Sequence, residues 1–218
     1  MRSLCDYKAY ILDMDGTLYY KYPMRLSMAF LLGSYYLFHF KRRKELFVLR
    51  DYRRLREKEE LLSKPDYEET IRQTLSVRYG YEVQKVDEVI DTWMHRKPLK
   101  VLYRCRDRKL SGLVREWKRQ GKRVYIYSDY PAKGKREALR LSVDACYSPD
   151  GKNIIFLKPD PSGLQYILEK NDLSKDETVM IGDRYSKDGR CAEAAGVDFM
   201  ILKGTAFERR FQYRKEGL

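Results

Sequence analysis

Ala9-Tyr10-Ile11-Leu12-Asp13-Met14-Asp15-Gly16-Thr17 is the stretch from which the fold is read. An apolar run breaks into a loop that carries two carboxylates two residues apart. Side chains along a strand alternate faces, so positions i and i+2 share a side while the strand lasts. Gly16 then lets the backbone turn sharply, and Thr17 can donate hydrogen bonds. One carboxylate can attack a phosphorus atom while the other handles a proton beside it. Neither role needs histidine, of which the chain has two, His39 and His95.

Outward from this loop the chain reads in two styles. From about residue 100, helical and strand-like segments alternate. A helix around 110–120 stops at Gly121, and the strand 123–127 ends at Ser128-Asp129. A helix around 133–141 leads to a short strand near Ala145. A turn at 148–151 precedes the apolar run 154–157, read as a further strand that ends at Lys158. A helix over 162–169, a strand over 178–181, a last helix over 187–195 ending at Gly196 and a strand over 198–202 complete the series. Such alternation predicts a Rossmann-like α/β fold, a doubly wound and mostly parallel sheet. Sheets of this kind bind ligands beyond the carboxyl ends of their strands.

Residues 20–98 are different. They are rich in Leu, Tyr, Arg, Lys and Glu, with few turn signals, and predict an inserted helical domain between core segments 1–19 and 99–218. The run 26–40 is apolar and aromatic, and Lys41-Arg42-Arg43-Lys44 follows it. Residues 45–62 carry a candidate apolar stripe at Leu46, Leu49, Leu55 and Leu61-Leu62. Lys64-Pro65-Asp66 marks a break, with Asp66 placed to cap a helix over 67–79 that Gly80 ends. A further helix over 83–94 is expected to end before Pro98.

Four groups of polar residues fall at predicted strand ends: Asp13 with Asp15, Ser128, Lys158, and Asp183 with Asp188. In a parallel sheet these ends converge on one crevice. The set suits phosphoryl transfer, which needs an in-line nucleophile and positive charge on the developing oxyanions. Several carboxylates suit magnesium, a hard cation that takes oxygen ligands. Lys158 and the metal would offset phosphate charge, and Ser128 would donate to a phosphate oxygen.

At this point the residues resemble a family, the haloacid dehalogenase (HAD) superfamily of phosphohydrolases, subfamily I. Residues 11–17 resemble its first motif, 125–129 its second, Lys158-Pro159-Asp160-Pro161 its third, and 180–188 running on to Ala194-Ala195-Gly196 its fourth. The resemblance covers 7–20 and about 100–205. Residues 20–98 resemble the family's helical cap in position and length, without a sequence signature. It implies that Asp13 is the nucleophile, forming an aspartyl phosphate, and that Asp15 is the general acid and base. It implies magnesium held by Asp13, Asp183 and the backbone carbonyl of Asp15, with Asp188 supporting the metal or Lys158. Ser128, Asp129 and Lys158 would hold the phosphate. An acid at position 15 favours a phosphatase over a dehalogenase. The chain departs from many relatives in two places: four residues separate Asp183 from Asp188, and no acid follows Thr17 within Leu18-Tyr19-Tyr20-Lys21.

The expected activity is therefore hydrolysis of a small phosphomonoester. A phosphomutase, which shares the first step, and a non-catalytic binder of anionic lipid or RNA remain as alternatives. Composition bounds the rest. The 43% hydrophobic content suits a cored protein, and four scattered cysteines without a CxxC point away from zinc or disulfides and toward a cytoplasmic setting. The start, Met1 to Asp6, lacks the apolar core of a signal peptide. A net charge of +13 attracts phosphates of any kind. The basic clusters at 41–44, 53–58, 96–109 and 115–123 carry no nucleic-acid-binding motif, so a small phosphorylated metabolite is the expected partner. The run 26–40 is short of the ~20 residues a bilayer crossing needs. It is expected to pack as a cap helix; the alternative is an interfacial helix whose Lys41–Lys44 tail meets anionic lipid.

Overall fold

The computed structural model describes residues 3–58 and 66–215. Leu61-Leu62 and Lys64-Pro65, read above as stripe and break, lie outside them. The chain divides into two compact units, one of Met1–Pro23 with Leu102–Leu218 and one of Met24–Val101.

The first unit is built on five strands, β1 (Ala9–Leu12), β2 (Arg123–Tyr127), β3 (Ala145–Tyr147), β4 (Thr178–Gly182) and β5 (Asp198–Ile201). All pair in parallel, in the order β3-β2-β1-β4-β5. The order runs outward both ways from β1, so the crevice of a doubly wound sheet opens at the carboxyl end of β1. Leu12 is level with Ile126 on one side and Ile181 on the other. The residues that follow these three strands therefore emerge along one edge.

The strands are apolar on both faces because helices cover both. Ile11, Tyr125 and Met180 pack with Leu164, Ile167 and Ala192 from the helices Ser162–Lys170 and Arg190–Ala195. On the other face Tyr10 stacks on Trp117 of the helix Arg108–Arg119, ring centroids 3.8 Å apart. Stacked pairs add about 0.5–1.5 kcal/mol beyond their buried area.

Three expectations are corrected here. Residues 154–157 form no strand, so Lys158 does not stand at a strand end. The Asp150 carboxylate accepts from the amides of Lys152, Asn153 and Ile154, which bends this segment into a turn-bound loop. Ile154 and Leu157 are buried nonetheless. A short apolar run looks the same whether it pairs or merely packs. The helix after β4 opens not as α-helix but as a π turn, Tyr185–Gly189. And 187–195 is not the last helix, because Ala206–Lys215 forms another.

In the second unit the helices Lys44–Leu55, Tyr67–Tyr79 and Val83–Ile90 pack together, burying Val48, Tyr52, Ile71, Leu75, Val86 and Ile90. Tyr67–Tyr79 ends at Gly80, whose positive φ of 65° terminates it. Asp66 precedes this helix but its side chain makes no capping bond; only its carbonyl accepts, from the Thr70 amide. Pro98 does not end the following helix. A π segment, Asp91–Arg96, runs into the short α-helix Lys97–Leu102 that contains Pro98, and the widened backbone ahead of it accommodates a residue that lacks an N–H.

Candidate active site

Asp13 directly follows β1, and its amide still donates to the Ile181 carbonyl, 2.8 Å. The sheet ladder thus fixes the backbone of Asp13 one residue past the strand. Its carboxylate is buried. One oxygen accepts from Lys158 Nζ (2.7 Å) and the other from the Thr17 hydroxyl (2.9 Å). Gly16 closes the turn with φ 98°, and a Cβ there would strike Lys21 and Asp183.

Lys158 is the hub. Its ammonium, fully buried, also meets Asp188 Oδ1 at 2.7 Å. Burial opposes its charge, but Asp13 and Asp188 outweigh burial and hold it protonated, well above its ordinary value. Asp188 reaches back from the π turn. Its other oxygen accepts from the amides of Asp183 and Arg184, both 3.1 Å. A Cβ on Gly182 would collide with it. The extra residue between Asp183 and Asp188 is taken up by the wider turn, so the second acid still folds over the end of β4. Burial works against ionisation of Asp188, yet Lys158 and these amides hold its carboxyl below the usual range.

Asp15 is set apart from this group. Its carboxylate accepts from Lys135 Nζ (2.5 and 2.7 Å) and from the Tyr19 hydroxyl (2.5 Å). Burial pushes its pKa up, but Lys135 and Tyr19 bring it below the ordinary carboxylate value. The Tyr19 hydroxyl, raised by burial and by Asp15, stays protonated and donates.

Asp13, Asp183 and Asp188 each present a carboxylate oxygen, all within 4.8 Å of one another. Burial pushes the Asp13 carboxyl up to about 7; Lys158 pulls it down, while Asp188 and Asp15 add to the rise. Three carboxylates that converge on one point and present hard oxygens only, two of them buried, fit a divalent cation such as magnesium. Lys21 Nζ is ion-paired to Asp183. The carboxylate of Asp15 is not in the cluster. Its expected contribution to the metal is through its backbone carbonyl.

A cavity of about 20 Å³ is lined by these groups, Asp13, Asp15, Lys158, Asp183 and Asp188, together with Asp129, Tyr130, Arg184 and Lys187. That volume holds a water molecule or an ion, not an organic substrate. Ser128 directly follows β2 as expected but is buried and not part of the lining; its hydroxyl accepts from the Tyr130 amide, 3.2 Å. Asp129 was expected to help hold phosphate. Its side chain instead accepts from the Lys158 amide (3.1 Å) and from Lys187 Nζ (3.2 Å). These bonds fix the Lys158 backbone and the Lys187 ammonium beside the cavity that Asp129 helps to line.

Lys135 was not singled out in the sequence; it comes from a helix 120 residues from Asp15, and nothing in its own neighbourhood marks it. Lys21 and Lys187 stand beside the first motif and inside the fourth, but their pairing with Asp183 and Asp129 shows only in the structure. Arg209 was missed too. Buried on the helix Ala206–Lys215, it donates to the carbonyls of Gly16 and Thr17 (the latter 2.7 Å) and pairs with Asp107 (2.9 Å). It is the clamp under the Asp13–Thr17 loop.

Comparison with known proteins gives the class to which this fold and site belong. The profile of the haloacid dehalogenase-like hydrolases matches residues 7–196, and the chain belongs to that family. Among solved structures, the HAD-hydrolase YfnB of Bacillus subtilis, bound to magnesium, is similar with a TM-score of 0.62 and 15% identity over 97% of this chain and 99% of that one. The 2-haloacid dehalogenase of Pseudomonas syringae pv. Tomato gives 0.61 and 14% over 90% and 86%. A protein assigned as a phosphoglycolate phosphatase, from Lactobacillus delbrueckii subsp. bulgaricus, gives 0.53 and 19% over 97% and 92%. No curated protein matches the chain.

Proposed function

We propose that the protein is a magnesium-dependent phosphatase that hydrolyses a small phosphomonoester through an aspartyl phosphate on Asp13. The observation that supports this most is the division of labour between the two aspartates. Asp13 sits in the lysine–carboxylate cluster, whereas Asp15 faces Lys135 and Tyr19 two residues away. A dehalogenase, by the family resemblance, lacks an acid at position 15.

In this reading an Asp13 oxygen attacks phosphorus and the bond to the ester oxygen breaks. Asp15 gives that leaving oxygen a proton. Asp15 then takes a proton from water, whose oxygen attacks phosphorus and releases Asp13 and inorganic phosphate. As placed, Asp15 is an anion suited to the second step, where it takes a proton from water; to serve the first it must hold that proton and exchange Lys135 for the leaving oxygen. Lys158 neutralises phosphate charge and Thr17 orients Asp13. Asp13, Asp183 and Asp188 would hold magnesium, which would supply the remaining positive charge on the phosphoryl oxygens. The unit Met24–Val101 would act as a cap that reads the organic part of the substrate. The test is phosphate release from a broad phosphomonoester panel, with magnesium and with chelator, for wild type and Asp13→Asn. Release that needs magnesium and vanishes in the variant supports the reading. Transfer of phosphate between positions of one substrate without net release would favour a phosphomutase.

A further inference from the structure

The helix Lys21–Phe38 has 18 residues, a length of about 27 Å. It buries only Met24, Met28 and Tyr36, so the expectation of a helix packed within the cap holds for one face alone. Its other face is apolar and open. Leu26 and Leu37 are exposed, Phe30 is 76% exposed and Phe38 80%, and Phe40 continues the patch past the helix end. Of the twelve large hydrophobics exposed among the described residues, eight lie between residues 22 and 47. That is a patch, not the scatter of single apolar side chains any surface carries.

The charge around it has one sign. Residues 21–50 hold seven basic residues and a single acid, Glu45. Glu45 is buried and occupied by Arg42 and Tyr36. Lys41, Arg43 and Lys44, all exposed, form no salt bridge among the described residues. No helix among those residues is long and apolar enough to cross a membrane. What remains is an in-plane arrangement, with Phe and Leu side chains at acyl depth and lysines and arginines at the headgroups.

We propose that this face docks the protein on an anionic lipid bilayer. A second copy of the chain is the poorer occupant, because a two-fold contact through this face would set basic residues of 21–50 against basic residues of the same stretch, whose one acid, Glu45, is buried. RNA would satisfy the charge but gains nothing from Leu26 and Leu37.

The experiment is flotation of the full chain with vesicles of phosphatidylcholine alone and of phosphatidylcholine with phosphatidylglycerol, at low and high salt. Wild type should float with the anionic vesicles, more weakly at high salt, and not with phosphatidylcholine alone. Phe30→Ser with Phe38→Ser should lower the partition coefficient by about tenfold or more. Lys41→Glu with Lys44→Glu should cost about fivefold per charge. Both variants change exposed side chains, and circular dichroism checks that they fold. Phe30→Trp in an otherwise unaltered chain gives a second readout, a blue shift of emission on anionic vesicles only. Absence of wild-type flotation at low salt overturns the proposal. So does equal binding by the double serine variant, which would mean charge alone, or self-association that the serine variant abolishes without any vesicle binding.

Discussion

Both units of this protein are laced with charge pairs, and the way each uses them differs. In the sheet unit the pairs are buried and converge: the Lys158 side chain is 2% exposed and bridges Asp13 and Asp188. In the helical unit they are scattered rather than convergent, and most join a buried group to a partly solvated one. Arg72, its side chain 25% exposed, ties Glu68 to Asp87, and Arg78 meets Asp51. Burial makes a charge expensive unless its partners are fixed, so the first arrangement creates reactivity and the second mostly fastens helices together. The sheet unit should therefore respond to single substitutions with loss of chemistry, and the helical unit with little.

The largest expected effect is on Asp13. Asp13→Asn should lower turnover by on the order of 10⁴-fold or more and abolish any trapped phosphoenzyme. A near wild-type rate in a steady-state assay would remove the nucleophile from Asp13. Asp15→Asn should cost ~10²–10⁴-fold in kcat, with folding unchanged by circular dichroism.

Next comes the clamp. Arg209→Met leaves the Asp107 carboxylate buried without its cation, at a cost of about 3–5 kcal/mol in urea unfolding. The same measurement on Arg72→Met, in the helical unit, should give about 1 kcal/mol or less, because its partners remain reachable by water. Equal losses would erase the contrast between the two units.

A pH series sharpens the comparison further. The Asp13 carboxyl is raised from 3.8 to about 7 in the folded chain. Its contribution to stability without metal is thus present below 3.8 and lost as pH rises through about 7. Magnesium needs the carboxylate, so apparent magnesium affinity should weaken below about 7, with a proton released on binding. Calorimetry in buffers of different ionisation enthalpy reads that proton directly. Affinity independent of pH would mean that Asp13 is already an anion in the metal-free protein.

How much of this was legible in the sequence follows from the same contrast. Asp13, Asp15, Asp183 and Asp188 could be found because each stands beside a strand whose apolar run announces it. Lys158 was found by its motif although the strand before it does not exist. Lys135 and Arg209 could not be found, since their partners lie 120 and from 102 to 193 residues away and only the fold brings them together. The helix Ala206–Lys215 was overlooked for a related reason. It shows little apolar periodicity and is held largely by the polar bonds of Arg209 and by buried Tyr213. Pro98 misled because a local rule met a backbone that had already widened ahead of it.

The Arg209 clamp also says something about how the protein comes into being. The loop that carries Asp13 is made long before the side chain that holds its carbonyls, 192 and 193 residues later. Its strand pairs on either side with strands more than 100 residues downstream. Contacts this distant are slow to form and can close only after the intervening chain has emerged. The nascent polypeptide therefore carries its reactive aspartates in an unassembled state until Arg209 has emerged, and the loop should take its final form late and in one step.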